Sequence, residues 1–198
     1  MAEIAVNGLF SVRAAAWVPD MRKLQQVRRA VFIVEQDVPE ALEWDDDDLH
    51  CLHALAEDEA GNPIATGRLL ADGHLGRIAV LAEWRGRGAG AAIFEYLLAA
   101  AARLGHRQLL LNAQTHAIGF YARYGFVVCG EEYIEAGLSH RPMRRERFLL
   151  GYTNTGRLGP VLPVDATLRR TPRCVQTGAR RARPNRGRAI RDLRRCRR

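Results

Sequence analysis

Apolar residues in the first 150 positions alternate between strand-like and helix-like spacing, which predicts a mixed α/β domain. Gly61-Asn62-Pro63 and Asp72-Gly73 lie between apolar runs and are typical of turns. Apolar runs bounded in this way predict strands at 10–17, 52–57, 64–70, 75–81, 108–111, 126–129 and 142–149. The central elements follow the order strand, strand, strand, glycine loop, helix, strand, helix, strand. This order requires at least one crossover connection.

Three helices are predicted between these strands. The first follows Pro19, has Asp20 as its N-cap, and carries an apolar stripe at Leu24, Val27, Val31 and Val34. The second is the Ala- and Leu-rich run 91–104, and the third is 115–124. The acidic segment 37–48 predicts a solvated loop, with an acidic lip that attracts a cationic amine as the alternative.

Positive charge is concentrated beyond residue 150, which predicts a domain at 1–150 and a C-terminal tail at 151–198. The chain has a net charge of +8, yet its first 150 residues hold 16 Lys and Arg against 20 Asp and Glu. The tail holds 14 Arg against Asp165 and Asp192, and its lack of apolar periodicity predicts disorder or weak order. Three roles stay open for it: weak nucleic-acid binding through phosphates, a solvated extension without a role, or an out-of-frame translation of GC-rich coding sequence.

The composition predicts a soluble, globular, cytoplasmic protein. Its hydrophobic fraction is 47%, and it lacks both an apolar run of membrane-spanning length and a basic, apolar leader at Met1, so no membrane partner is expected. The four cysteines form no C-x-x-C pair, which favours free thiols in a reducing compartment. His50-Cys51-Leu52-His53 lacks the partner ligands of a structural zinc site, so no metal is expected.

The candidate chemistry lies in a glycine loop between a strand and a helix, formed by Arg85, Gly86, Arg87, Gly88, Ala89 and Gly90. Unpaired N–H groups at the start of the following helix, together with its dipole, favour a diphosphate. A Walker A loop is excluded because the chain has only one lysine, Lys23, and the glycine spacing does not match a Rossmann fingerprint. A glycine-rich turn with solvated arginines is the alternative.

This loop resembles the pyrophosphate loop of the GNAT N-acetyltransferase superfamily, whose pattern Arg85, Gly88 and Gly90 fill. The run 112–126, which contains Phe120-Tyr121 and Gly125-Phe126, resembles the second signature of that superfamily. Further motifs resemble the ElaA-like subgroup: 31–39, Glu43-x-Asp45-x-x-Asp48, His53, 66–69, and 135–143 with His140 and Met143. The resemblance covers about residues 10–148. It implies a GNAT acyl-CoA N-acyltransferase fold, with a central, mixed, mostly antiparallel sheet flanked by helices.

The resemblance implies acetyl-CoA as co-substrate. The strand residues Ile78, Ala79 and Val80 would pair with the pantetheine amides through their backbone. The loop from Arg85 to Gly90, with Ala91, would bind the diphosphate, and Asn112 would lie where two strands separate to admit the cofactor arm.

The resemblance also implies direct attack of an amine on the thioester, without a covalent enzyme intermediate. Tyr121 occupies the position of the acid that protonates the leaving thiolate, with Tyr124 as the fallback and a packed aromatic as the alternative. Four residues are candidates for the base that accepts the proton of the amine: His53 and Glu35, ranked first, and His116 and His140. Members of the superfamily are often dimers, so a homodimer is an expectation from the family alone.

The function predicted from the sequence is transfer of an acetyl group from acetyl-CoA to a primary amine. Two alternatives belong to other classes: a non-catalytic acyl-CoA-binding module, and a nucleic-acid-associated protein that acts through its tail.

Overall fold

The computed structural model describes residues 4–6, 8–146, 150–152 and 158–160, with side chains described from 8 to 146; the rest of the predicted tail lies outside these ranges. The strands are β1 (Ile4–Val6), β2 (Phe10–Ala15), β3 (Leu52–Asp58), β4 (Pro63–Leu69), β5 (Leu75–Val80), β6 (Gln108–Gln114), β7 (Val127–Val128), β8 (Tyr133–Glu135), β9 (Leu138–Glu146), β10 (Leu150–Tyr152) and β11 (Leu158–Pro160). The α-helices are α1 (Trp17–Arg28), α2 (Glu40–Glu43), α3 (Ala89–Arg103) and α4 (Ile118–Ala122). A π-helical segment (Arg29–Glu35) and 3₁₀ turns at Asp46–Leu49, Ala82–Trp84 and Thr115–Ala117 complete the elements.

The strands form two larger sheets that are mostly antiparallel. Strands β1 to β5 pair in sequence order, each antiparallel to the next. The second sheet has the order β6-β9-β7, and β8 also pairs with β9. Strands β10 and β11 pair with each other as an antiparallel hairpin. The predicted mixed α/β class with a mostly antiparallel sheet is therefore confirmed.

Helices cover both faces of the first sheet. On one face, Ile93, Phe94 and Leu97 of α3 are buried in the largest hydrophobic cluster. A Cβ on Gly67 of β4 would lie 2.9 Å from side-chain atoms of Ile93 and Leu97, so this glycine lets α3 lie close to the sheet. On the other face, α1 packs Leu24 against the sheet. Within the described residues, no helix has the length and apolar character needed to cross a bilayer.

The first helix begins earlier than predicted. Its first residue is Trp17, and Asp20 lies one turn inside it instead of at the N-cap. The Asp20 carboxylate accepts a hydrogen bond at 3.1 Å from the backbone N–H of Ala16, the actual N-cap residue. Pro19 fits in the first turn because N–H groups there have no partner within a helix.

The predicted apolar stripe of this helix holds as far as Val31 but is wrong for Val34, whose side chain is 75% exposed. The helix changes at Arg29 into the π-helical segment, in which N–H groups bond five residues back. The N–H of Gln36 donates to the carbonyl of Val31 at 3.1 Å. The wider turn moves Val34 into solvent and places Gln36 one turn after the buried Val31.

The prediction of a solvated loop at 37–48 is wrong for two of its carboxylates. Glu43 and Asp48 are only 3% and 1% exposed. Arg28, which is fully buried at the end of α1, donates to Glu43 at 2.5 Å and to Asp48 at 2.7 Å. Arg68 of β4 donates to the same Asp48 oxygen at 2.7 Å. The arginines come from elements distant in sequence, so the local acidic pattern could not reveal their ion pairs.

Candidate functional site

Strands β5 and β6 run parallel to each other but, within the described residues, pair only where they begin. An isolated bridge joins His74 to Leu110, and the N–H of Leu110 donates to the carbonyl of Gly73 at 3.1 Å. Beyond this bridge, β5 pairs with β4 and β6 pairs with β9, in separate sheets. The two strands therefore separate after this bridge, and their ends at Val80 and Gln114 belong to different sheets; we call the space between these ends the slot.

Strand β5 is irregular where it borders this slot. Thr66 pairs with Ala79 whereas Arg68 pairs with Gly76, so β5 has one residue more than β4 between these pairs. Arg77 lies in this bulge with a positive φ of 52°. A bulge bends a strand and increases its twist, which contributes to the divergence of β5 from β6.

The backbone of Val80 faces the slot. The N–H of Leu81 donates to the carbonyl of Ile64 in β4 at 3.0 Å, and successive backbone groups of a strand point to opposite sides. The N–H and C=O of Val80 therefore point towards β6. Its carbonyl accepts a hydrogen bond from Nε of Arg85 at 3.2 Å.

The side chains of the predicted pantetheine-binding residues alternate across β5. Ile78 and Val80 pack against the cluster that contains α3. Ala79 is buried on the opposite face against Val27 and Val31. Only backbone groups of this stretch are thus left to meet a ligand in the slot, as the resemblance implies.

The glycine loop connects the end of β5 to α3. Gly86 and Gly88 have positive φ angles of 72° and 90°, in the left-handed region that favours glycine. Gly88 is the N-cap of α3, a helix of 15 residues that begins at Ala89. A Cβ on Gly90 would lie 3.3 Å from a methyl group of Val80, so α3 begins close to the end of β5. The helix N-terminus with its free N–H groups and positive dipole end is therefore located at the mouth of the slot.

The two arginines of the loop have different surroundings. Arg85 donates two hydrogen bonds to the carboxylate of Glu35, at 2.8 and 2.5 Å. These bonds lower the pKa of the Glu35 carboxyl. Arg87 is exposed, and its guanidinium lies 5.5 Å from the centre of the Trp84 ring. The contact favours a role for Glu35 in holding Arg85 over its predicted role as a base, since a carboxylate with a lowered pKa is a weaker base.

Tyr121 lies in α4, in an aromatic cluster between α3 and α4. Its ring centre is 5.2 Å from that of Phe94 and 5.1 Å from that of Phe120. Burial raises the pKa of its hydroxyl to about 12. The fallback residue, Tyr124, instead donates its hydroxyl to Glu95 at 3.1 Å on the surface. The two tyrosines therefore differ in hydrogen bonding: within the described residues, the Tyr121 hydroxyl makes no side-chain hydrogen bond of the kind that joins Tyr124 to Glu95.

His53 lies in β3, two strands away from β5 and thus roughly 10 Å from the edge of the slot. It is 1% exposed, and its Nε2 lies 2.9 Å from the carbonyl oxygen of Asp48. Its ring stacks on Trp17 at 5.5 Å, and burial lowers the pKa of the imidazole. This placement favours a packing role over the predicted role as a base.

The other two candidate histidines lie near the end of β6. His116 is exposed in the turn that follows the strand. His140 of β9 pairs in register with Gln114, the last residue of β6. Its Nδ1 lies 2.9 Å from the carbonyl oxygen of Leu138, and its ring stacks on Tyr133 at 5.8 Å. Among the predicted bases, His140 is half-buried and lies one strand away from β6, level with the end of that strand.

Sequence reasoning missed the contact between Gln36 and Gln114. The Nε2 of Gln114 donates to Oε1 of Gln36 at 2.9 Å, which joins the end of the π-helical segment to the end of β6. A regular α-helical repeat of 3.6 residues would not place Gln36 at this position; the wider π-helical turn does. Asn112, predicted to lie at the end of the strand, is exposed two residues earlier, on the same face of β6 as Gln114.

Asp48, Cys51 and His53 form the one group of potential metal ligands that the described residues bring together, with ligand atoms within 4.8 Å of one another. Asp48 is already paired with two arginines, and the Nε2 of His53 is bonded to a carbonyl. Burial raises the pKa of the Cys51 thiol to about 11, which disfavours the thiolate that a metal needs. These contacts disfavour a metal centre.

Comparison with known proteins identifies the family. Residues 19–147 match the profile of the acetyltransferase (GNAT) domain. Two relatives come from Bacillus subtilis (strain 168). The uncharacterized protein YyaT is 36% identical, over 64% of this chain and 89% of its own length. The uncharacterized N-acetyltransferase YjcF is 38% identical, over 61% of this chain and 88% of its own length.

Solved structures give the same result. An acyl-CoA N-acyltransferase from Pseudomonas aeruginosa has a TM-score of 0.63 and 34% identity, over 69% of this chain and 99% of that one. Escherichia coli ElaA has the same TM-score and 28% identity, over 70% of this chain and 100% of its own. Together with the match over residues 19–147, these similarities show that this chain belongs to the GNAT acetyltransferase family.

Proposed function

We propose that this chain transfers the acetyl group of acetyl-CoA directly to a primary amine. The observation that carries this proposal is the slot between β5 and β6, which opens beside the glycine loop at the start of α3. A strand-like arm fits the edge where the backbone of Val80 faces the slot, and a diphosphate fits the N–H groups of the loop. The acetyl thioester of the co-substrate supplies the activated acyl group.

The loop binds the diphosphate mainly through its backbone. Gly86 and Gly88 allow the main chain to approach the phosphates closely because neither has a side chain in the way. Exposed Arg87 adds a positive charge at the same end of α3. Ala89, Gly90 and Ala91, in the first turn of α3, contribute N–H groups that have no partner within the helix.

Tyr121 is the proposed acid. The amine nitrogen attacks the carbonyl carbon of the thioester, and the tetrahedral intermediate then expels the thiolate of CoA. The Tyr121 hydroxyl donates its proton to that sulfur. A phenol with a pKa of about 12 is protonated at neutral pH, so the hydroxyl is available as a donor when negative charge develops on the sulfur.

His140 is the proposed acceptor of the amine proton, directly or through a water molecule. Its position beside Gln114 supports this assignment, whereas Glu35 is held by Arg85 and His53 lies in the interior. A base at this step contributes about 10²- to 10⁴-fold to the rate.

The site is tested by calorimetric titration of acetyl-CoA into the full chain and into two matched variants, Gly88→Ala and Gly61→Ala. Both glycines have positive φ, at 90° and 80°, and a Cβ on either would have open space around it, so the two variants carry similar strain. Only Gly88 lies in the loop. We expect the affinity to fall at least about tenfold in Gly88→Ala and to stay unchanged in Gly61→Ala.

Two results would count against the proposed site. A wild-type chain that is folded but does not bind acetyl-CoA at millimolar concentration would remove the proposed function. Equal affinities of the two glycine variants would place the cofactor away from the loop.

A further inference from the structure

Two consecutive residues at the end of the π-helical segment contact opposite sides of the slot. Glu35 binds Arg85, which follows β5, and Gln36 binds Gln114 at the end of β6. These contacts span 50 and 78 residues of sequence. Residues 35–36 thus connect the two strands at the end where they no longer pair with each other; we name this pair of residues the strap.

The π-helical turn is what makes the strap possible. Val31 is buried against Ala79 of β5, and the N–H of Gln36 bonds to the carbonyl of Val31. The segment is therefore anchored on β5 one turn before its end. An α-helical turn would direct residue 34 or 35 towards the sheet, whereas the wider turn gives that direction to Gln36.

Arg85 is directed back onto the protein by three hydrogen bonds. Two go to Glu35 and one goes to the carbonyl of Val80. Its guanidinium is thereby neutralised and tied to the strand from which the loop emerges. Arg87, in contrast, has no ion pair among the described residues and remains the free charge of the loop.

We propose that the strap positions the diphosphate loop and the end of β6, and that Glu35 acts on acyl-CoA through Arg85. On this account Glu35 and Arg85 are positioning residues: they hold the loop in its binding conformation before the cofactor arrives. A preformed loop loses less conformational freedom on binding, which increases affinity. The inference rests on the proposed function, because it takes the loop to be the diphosphate site.

The test measures KM for acetyl-CoA, kcat and the calorimetric affinity for CoA in the full chain and in Glu35→Gln. The matched control is Glu40→Gln, because Glu40 forms an equally exposed ion pair with Arg29 away from the loop. We expect Glu35→Gln to raise KM and weaken CoA binding about fivefold, or about 1 kcal/mol, with kcat within about twofold. Glu40→Gln leaves all three values unchanged, and Glu35→Asp, which keeps the carboxylate, restores part of the affinity.

A double variant separates positioning from direct phosphate contact. If Glu35 acts only through Arg85, then Glu35→Gln adds nothing to the loss already caused by Arg85→Ala. Gln36→Ala is expected to raise KM about two- to fivefold by releasing Gln114, again with little change in kcat. Faster hydrogen exchange of the 85–91 amides in free Glu35→Gln, and not in free Glu40→Gln, supports preorganisation without any cofactor present.

Three results overturn the inference. Tighter CoA binding in Glu35→Gln would mean that Glu35 competes with phosphate for Arg85. Undiminished binding in Glu35→Gln together with weak binding in Arg85→Ala would mean that Arg85 contacts the phosphates itself. Failure of the wild-type chain to bind CoA would overturn the proposed function and this inference together, whereas the first two results overturn the inference alone.

Discussion

At the scale of single residues, Tyr121 in α4 and Tyr124 in the turn that follows are similar side chains with different hydrogen-bond partners. Both rings pack against Phe94, and burial raises the pKa of both hydroxyls, that of Tyr121 to about 12. Only the Tyr124 hydroxyl donates a hydrogen bond to a carboxylate, that of Glu95 at the surface. The raised pKa keeps the Tyr121 hydroxyl protonated at neutral pH, so that it can donate a hydrogen bond to the thiolate as the charge develops on the sulfur. The difference between the two tyrosines lies in their surroundings and not in their chemistry.

Tyr121→Phe is therefore expected to lower kcat about 10²- to 10⁴-fold while KM for acetyl-CoA changes little. Tyr124→Phe, in the turn that follows α4, is the control and should retain kcat within a few fold. Since the pKa of Tyr121 is about 12, the wild-type kcat should show no alkaline fall from this group below about pH 10. Steady-state kinetics of both variants check this, and equal kcat values in Tyr121→Phe and wild type would exclude Tyr121 as the acid.

Local motifs were sufficient to predict a glycine loop before a helix and an aromatic cluster around Tyr121, because both are patterns of adjacent positions. The roles of the loop residues and of Tyr121 stay predictions. The strap was not predictable in this way. Gln36 and Gln114 meet only because two strands diverge and a helix widens, and neither event leaves a periodic pattern. The burial of His53 was not predictable either, since it depends on Trp17 and Asp48 from other elements.

At the scale of elements, the segment that follows α1 depends on a buried ionic cluster. Arg28, Arg68 and Arg77 come from α1, β4 and β5, and Glu43, Asp45 and Asp48 come from the acidic segment. The cluster fixes the acidic segment against the sheet beneath the bulge of β5. Because Arg28 directly precedes the π-helical segment, the cluster also anchors the beginning of the segment whose end forms the strap.

Asp48→Asn is expected to reduce the free energy of unfolding by about 3 kcal/mol, because two buried arginines lose a shared charge partner. Asp47→Asn, an exposed neighbour in the same 3₁₀ turn, should change it by less than about 0.5 kcal/mol. Urea denaturation of both variants measures the difference. A value for Asp48→Asn as small as that of its neighbour would show that the cluster contributes little to stability.

The elements also show where sequence periodicity stops being informative. Regular spacing predicted α3 and most strands, because these have one face on a common core. The burial of Glu43 was not predictable from spacing, because it depends on Arg28 of α1. The start of α1 was missed because Asp20 bonds the N–H of Ala16 from inside the first turn, where the sequence pattern placed the N-cap itself. The short strands β1 and β8 were missed because three residues are too few to show alternation.

At the scale of the whole molecule, different parts of the fold form the buried core and the candidate site. The first sheet, with α1 and α3 on its faces, provides a buried core, while its division from the second sheet provides the slot. The order of elements was enough to predict the class of fold, but the divergence of β5 and β6 became visible only in three dimensions. The domain boundary near residue 150 and the role of the Arg-rich tail stay predictions, since the tail falls mostly outside the described residues.

Amine-dependent release of CoA from acetyl-CoA is the measurement that tests the central claim most directly. The full chain is incubated with acetyl-CoA and a panel of an alkyl diamine, an amino acid ester and a peptide with a free N-terminus, and the thiol and the acetylated product are both quantified. The account predicts equimolar CoA and acetylated amine for at least one acceptor class, with the rate lost in Tyr121→Phe. Release of CoA no faster than without protein for every amine, from a chain that binds acetyl-CoA, would contradict it and leave a binding module.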